Sequence, residues 1–223
     1  MADWEEHLAR ETARFAEGER LLGHSEDDPR QRRLTRLGNA AWGSGLALLM
    51  LGRGDEARVW LGRAAALYRE SWDEAPPGSW GRPIAVLKVR LLAGEAAATE
   101  EAAGWALSTG CATAESPIGR YAGALALLVL GRDTEALPVA ESLVAAEGFP
   151  PAVAAALAAI AAGDAPGAAA AVEAVISSFE TRDAFLEDIP VSDTAICLHA
   201  LAGARGLVGP LRASAVLPVP AGR

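Results

Sequence analysis

Only two of the 223 residues are cysteine, and Cys111 and Cys197 stand 86 positions apart with no Cys-x-x-Cys pair. That excludes a disulfide framework and a thiolate zinc site, and it predicts a chain at home in a reducing cytoplasm. Lysine is scarcer still. Lys88 is alone among 20 basic residues, the others being arginine, and Gln31 and Asn39 are the only side-chain amides, a skew that reads as codon bias. Positive charge is outnumbered, 20 basic against 29 acidic residues with a pI near 4.9, so no general field draws nucleic acid or anionic lipid to the chain. Long apolar runs are missing as well. The longest, Pro150 to Ala162, stops at Gly163, Asp164 and Pro166, well short of the roughly 20 residues that span a membrane. Residues Met1 to Arg10 carry Asp3, Glu5 and Glu6 where a signal peptide has a basic and then an apolar stretch, so export by that route is not expected. There is no GxxxxGK[ST], no GxGxxG, no HExxH and no GxSxG, so no cofactor is expected and no common enzyme machinery announces itself.

What is present is a hydrophobic fraction of 51%, ample for a core, and an irregular internal repeat. Leu46 to Tyr68 (LALLMLGRGDEARVWLGRAAALY) and Leu125 to Ala145 (LALLVLGRDTEALPVAESLVA) share an apolar helix, Leu-Gly-Arg, an acidic residue and a second helix. Weaker copies span Leu87 to Ser108 and Ala155 to Phe179. The turn glycines Gly52, Gly94, Gly131 and Gly163 are spaced by 42, 37 and 32 residues. Glycine accepts the left-handed backbone that ends a helix, and Asp55, Asp133 and Asp164 are expected to cap the helix that follows. Gly43-Ser44-Gly45 is a small-residue patch suited to close helix packing. Periodicity and punctuation predict helices near 2–22, 30–51, 55–74, 81–93, 96–109, 117–130, 134–147, 151–162, 165–180 and 193–204, with no strands.

The run of Leu-rich helix, Gly-Arg turn, acidic residue and early alanine resembles tetratricopeptide-type helical repeats over about residues 40 to 180. The resemblance implies an all-α fold, an irregular array of antiparallel helical hairpins wound as a right-handed solenoid with a concave protein- or peptide-binding surface. On this reading residues 1–206 form a single helical-repeat domain and 207–223 an extended C-terminal tail.

Two segments stand out as candidate partner surfaces. Trp72 and Trp80 flank the loop Ala75 to Arg82 (APPGSWGR), and with Arg82 and Tyr68 they suit one wall of a groove. The segment Phe179 to His199 concentrates Glu180, Asp183, Glu187, Asp188 and Asp193 around Pro190, an arrangement suited to a basic peptide or a divalent cation. His199 lies in an otherwise apolar helix and needs a buried partner or a cleft. Asp3, His7 and Glu11 recur at four-residue steps on one helical face, and Arg30, Arg32, Arg33 and Arg36 follow Glu26, Asp27 and Asp28 in a self-neutralising helix start.

The function expected from these observations is a noncatalytic, cytoplasmic, protein- or peptide-binding module, with no nucleic-acid or membrane role and no resident metal. Alanine-rich helix faces leave room for a homodimer. Two alternatives stand beside it. The acidic, all-helical build and the Leu-Ala-Gly-Ala-Arg-Gly-Leu ending are similar to some bacterial immunity proteins that neutralise toxins. A small metal or acid–base enzyme at 180–199 instead requires a carboxylate within hydrogen-bond reach of His199.

Overall fold

The computed structural model describes residues 3–23, 28–185 and 188–218, and among them lie ten α-helices and no strand. They are α1 (Trp4–Leu21), α2 (Arg30–Met50), α3 (Gly54–Asp73), α4 (Gly81–Ala93), α5 (Ala96–Ser108), α6 (Pro117–Val129), α7 (Asp133–Val144), α8 (Pro151–Ala162), α9 (Ala165–Glu180) and α10 (Asp193–Gly203). All ten predicted helices are present, and the largest displaced end is that of α7, at Val144 rather than Glu147. No helix among the described residues is long and apolar enough to cross a membrane. The chain groups into two compact units, one of Met1–Gly94 with Arg182–Val191 and Ala213–Arg223, the other of Glu95–Thr181 with Ser192–Arg212.

The α2–α3 and α6–α7 links share one turn. After α2, the Gly52 amide donates to Leu49 O at 3.0 Å and the Arg53 amide to Leu48 O at 2.9 Å, while Gly52 sits at φ +73°. After α6 the same pair recurs, Gly131 to Leu128 at 3.2 Å and Arg132 to Leu127 at 2.9 Å, with Gly131 at φ +66°. This is the Schellman closure, which satisfies helix-end carbonyls and needs a residue tolerant of left-handed backbone. The link has no slack. Arg53 and Arg132 close one helix and are also the N-cap residues of the next.

The expected caps are corrected at two of three positions. Asp164 does cap α9, its carboxylate accepting from the Gly167 amide at 3.1 Å. Asp55 and Asp133 instead lie inside the first turns of α3 and α7, where their charge still favours the helix N-terminus. Asp55 pairs with Arg58 at 2.8 Å, and Asp133 takes Arg205. The cap position itself holds arginine, which has no acceptor to offer. Its guanidinium reaches forward to Glu56 or Glu135 through paired bonds of 2.6–2.7 Å.

In the first unit α2 packs against both α1 and α3, and α3 against α4. Close approach relies on the small residues of α2: a Cβ at Gly43 would meet Ile189 at 2.6 Å and Glu11 at 2.9 Å, and one at Gly45 would meet Leu61 at 2.7 Å. The sequence expectation for Gly43-Ser44-Gly45 therefore holds. Phe15, Leu34, Leu37, Leu48, Leu61 and Val86 are buried in this unit, and Trp60 meets Phe15 edge-on at 5.1 Å while carrying Arg63 over its ring at 4.6 Å.

In the second unit α5 to α9 each pack on the next helix, and α10 returns onto α9 and α8. Arg205, just past α10, fastens this return: Nη2 donates to Leu128 O at 2.6 Å, Nη1 to Leu201 O at 2.8 Å and Nε to Asp133 Oδ2 at 3.0 Å. It thereby supplies a donor to the open C-terminal end of α6 and ties it to the start of α7. A Cβ on Gly123 would lie 2.4 Å from the Ala112 backbone, in the short 3-10 turn Cys111–Thr113.

Two paired substitutions test this account by thermal and urea denaturation. Gly123→Ala has to displace backbone and is expected to cost about 1–3 kcal/mol. Gly104→Ala, in the exposed middle of α5 with nothing within 4 Å of the new methyl, is expected to gain about 0.5–1 kcal/mol. Arg205→Ala removes the partner of a partly buried carboxylate and a donor to each of two helix-end carbonyls and is expected to cost about 2 kcal/mol, whereas Arg132→Ala, in solvent, is expected to leave the midpoint unchanged.

Candidate partner-binding surfaces

Trp72 lies in the last turn of α3 and Trp80 is the N-cap of α4. Pro76 and Pro77 end any helical continuation, Gly78 turns at φ +81°, the Ser79 hydroxyl donates to Pro76 O at 2.7 Å and the Trp80 amide to Gly78 O at 2.8 Å. This turn folds Trp80 back on Trp72, with ring centroids 5.5 Å apart and planes tilted by 35°. Both rings are half-buried, so the pair presents an aromatic surface to solvent.

Arg82 follows in the first turn of α4. Its Nε donates to the Ser71 hydroxyl at 2.7 Å and its Nη2 to Gln31 Oε1. Ser71 in turn donates to Gln31 O at 2.6 Å, and the Thr35 hydroxyl lies 2.8 Å from Ser71 Oγ. Ser71 and Gln31 are buried while Arg82 is half-buried, and burial holds its guanidinium below the ordinary arginine range without neutralising it. Among the described residues Arg82 thus rests on neutral acceptors, its charge uncompensated by a carboxylate. Tyr68 takes no part in the surface. It is buried against Gly38, its hydroxyl donating to Asn39 Oδ1 at 2.6 Å.

The acidic segment divides. Glu180, in the second unit, accepts Arg212 Nη1 and Nη2 at 2.7 and 2.8 Å. Asp183 and Asp188 are exposed in the part of the segment that joins the first unit, Asp188 with φ +58°, and Glu187 lies outside the described residues. His199 Nε2 is 2.8 Å from Gly209 O, and since a carbonyl can only accept, Nε2 carries the proton. Asp193 Oδ1 accepts from the Thr194 amide at 2.6 Å at the start of α10. The imidazole–carboxylate pair required of an acid–base site is not seen among the described residues, nor is any group of three His, Cys, Asp or Glu side chains placed to hold a metal ion.

At the other end, Asp3 caps α1 by accepting from the Glu6 amide at 3.1 Å, and the His7 ring lies against Trp4 at 5.1 Å. Glu11 is fully buried under Gly43, holding Arg10 and Arg14 at 2.9 and 3.0 Å. The basic run is neutralised from two sides, Arg36 by Asp28 and Arg30 by Glu70 and Glu74 of α3. Glu26 and Asp27 lie outside the described residues.

Sequence reasoning paired the tryptophans through their shared loop but missed Gln31, Ser71 and Arg212. The rarity of glutamine was the one available signal for Gln31. Neither cysteine is in a disulfide, both are buried, and burial pushes the Cys111 thiol up. Neither thiol is therefore expected to react with a disulfide reagent in the native protein at neutral pH, and both should react on unfolding in guanidinium, as a thiol titration would show. No family model, curated protein or solved structure matches the chain.

Proposed function

We propose that the chain is a noncatalytic protein- or peptide-binding module, an irregular array of antiparallel helical hairpins of tetratricopeptide-like, right-handed build. Two observations support the repeat architecture: the same Schellman-to-cap turn at Gly52 and Gly131, and the packing of helices in chain order within each unit. The reading of function is carried by the surface at the α3–α4 link. There a half-exposed tryptophan pair stands beside a cation whose hydrogen bonds go to neutral groups, and the Gln31–Ser71 network fixes that cation in place. Large aromatic rings and arginine are the residue types that anchor partner segments, and an arginine already ordered by its neighbours loses little freedom on binding.

The partner that fits is a segment that lays an apolar side chain on the tryptophans and turns a carboxylate toward Arg82. Selection of a random peptide library on the full chain tests this. Enriched peptides are expected to carry an acidic residue beside an apolar one and to lose at least tenfold in affinity, by calorimetry, against Trp80→Ala and against Arg82→Gln. Arg82→Lys keeps the charge but loses the fork and should fall between. Failure to enrich any sequence, or binding indifferent to both substitutions in folded variants, overturns the proposal.

A further inference from the structure

A guanidinium carries five N–H donors and no acceptor, and how many of them the fold consumes decides what it can still hold. On Arg82, Nε is spent on the Ser71 hydroxyl at 2.7 Å and Nη2 donates to Gln31 Oε1. Among the described residues Nη1 donates to no group, and Nη2 keeps a second proton. The two acceptors are held from behind. Ser71 is fully buried and Gln31 nearly so, and the main-chain carbonyl of Gln31 accepts from the Ser71 hydroxyl at 2.6 Å and from the Thr35 hydroxyl at 2.9 Å. Because Arg82 only donates, the side-chain amide of Gln31 must turn its oxygen toward it.

The choice of residue at position 31 is what folding does not explain. Glutamate has the shape of glutamine and in its place would give Arg82 a charge-assisted bond about twice as strong. The chain is rich in acids, 29 against 20 basic residues, and elsewhere sets them on its arginines: Glu56 on Arg53, Glu135 on Arg132, and Glu70 and Glu74 on Arg30. That last pair flanks Ser71 in α3 and is committed to Arg30. Arg82 is half-buried, where an unmatched charge costs more than in solvent, yet it meets the only glutamine in the sequence, and α4 has no acidic residue in its first turn. A local pattern broken at one place marks function more often than folding.

We infer that Gln31 sets the charge specificity of the Trp72, Trp80 and Arg82 surface: by holding the guanidinium through a neutral acceptor, it reserves the positive charge for a partner's carboxylate approaching on the Nη1 side. One guanidinium matches one carboxylate in charge and in its two acceptor oxygens. The inference rests on the proposed peptide-binding role of this surface and names the group it selects. Gln31 acts through Arg82 and is a positioning residue.

The test titrates the full chain with two matched pairs of dipeptides, following the indole N–H signals of Trp72 and Trp80 by NMR. One pair is acetyl-aspartyl-phenylalanine amide and its asparaginyl counterpart, with the charge on a side chain. The other is acetyl-alanyl-phenylalanine with a free carboxylate and its amide, with the charge at a chain end. The unsubstituted chain is expected to prefer the acid in at least one pair by about tenfold or more, and that pair identifies the source of the carboxylate. Gln31→Glu supplies the missing charge in cis, so the preference should vanish while the neutral peptides bind as before. A residue with a merely structural role would weaken acid and neutral peptides alike. Preference retained in Q31E, or a parallel loss for both members of a pair, overturns the inference and leaves the surface standing. Absence of binding by all four peptides to the unsubstituted chain overturns the surface and the inference together. If circular dichroism shows Q31E short of native helix content, Gln31→Met takes its place. It removes the acceptor without supplying charge, so the acid should bind more weakly than to the unsubstituted chain yet ahead of its neutral counterpart, and equal binding overturns the inference.

Discussion

A single glycine sets how α3 follows α2 and how α7 follows α6. At Gly52 and Gly131 the chain leaves one helix and has begun the next two residues later, so the residue after the glycine closes one backbone ladder and opens another. Such a link has no freedom to carry the next helix away, and the two must pack on each other along their length. Packing of that closeness favours small side chains. The buried surfaces are accordingly rich in alanine, and α2 uses Gly43 and Gly45 to admit Ile189, Glu11 and Leu61.

The same constraint explains why the helices are legible in the sequence while two of the three expected caps are not. Glycine and proline fix helix ends through backbone geometry, a local property that sequence displays directly. A cap depends on which of several adjacent polar residues reaches the free amides, and Leu-Gly-Arg shifts the register by placing arginine at the boundary. Asp55 and Asp133, one or two residues further on, then serve as ion-pair partners, and the partner of Asp133 lies 72 positions away at Arg205. Nothing in a helical period announces a contact over that distance. Glu11 is a second instance: sequence places it with Asp3 and His7 on one face of α1, and the missing side chain of Gly43 makes room for it as a buried charge.

The candidate surfaces show the same division. Trp72 and Trp80 were linked because a short Pro-Pro-Gly loop has few ways to run, and the rings do meet. Arg82 was placed beside them by proximity in sequence, but its chemical character comes from Gln31, 51 positions earlier, and from Ser71. Of the described acidic residues between 180 and 193, Glu180 and Asp193 belong to the second unit and Asp183 and Asp188 to the first. Glu180 is engaged by Arg212, from a tail that offered no pattern to read, and His199 is engaged by a backbone carbonyl that carries no sequence signal.

The irregular period links these observations. Turn geometry is repeated, so the spacings of 42, 37 and 32 residues must come from what lies between the turns. The longest spacing contains the 20-residue α3 and the loop from Glu74 to Trp80, against helices of 12 and 13 residues in α7 and α5. The extra length buries Tyr68 and Ser71 against α2 and leaves Trp72, Trp80 and Arg82 half-exposed at its end. The longest spacing is thus the one that contains an ordered aromatic pair and a cation fixed by neutral acceptors, both built by the α3–α4 link rather than by the glycine turn.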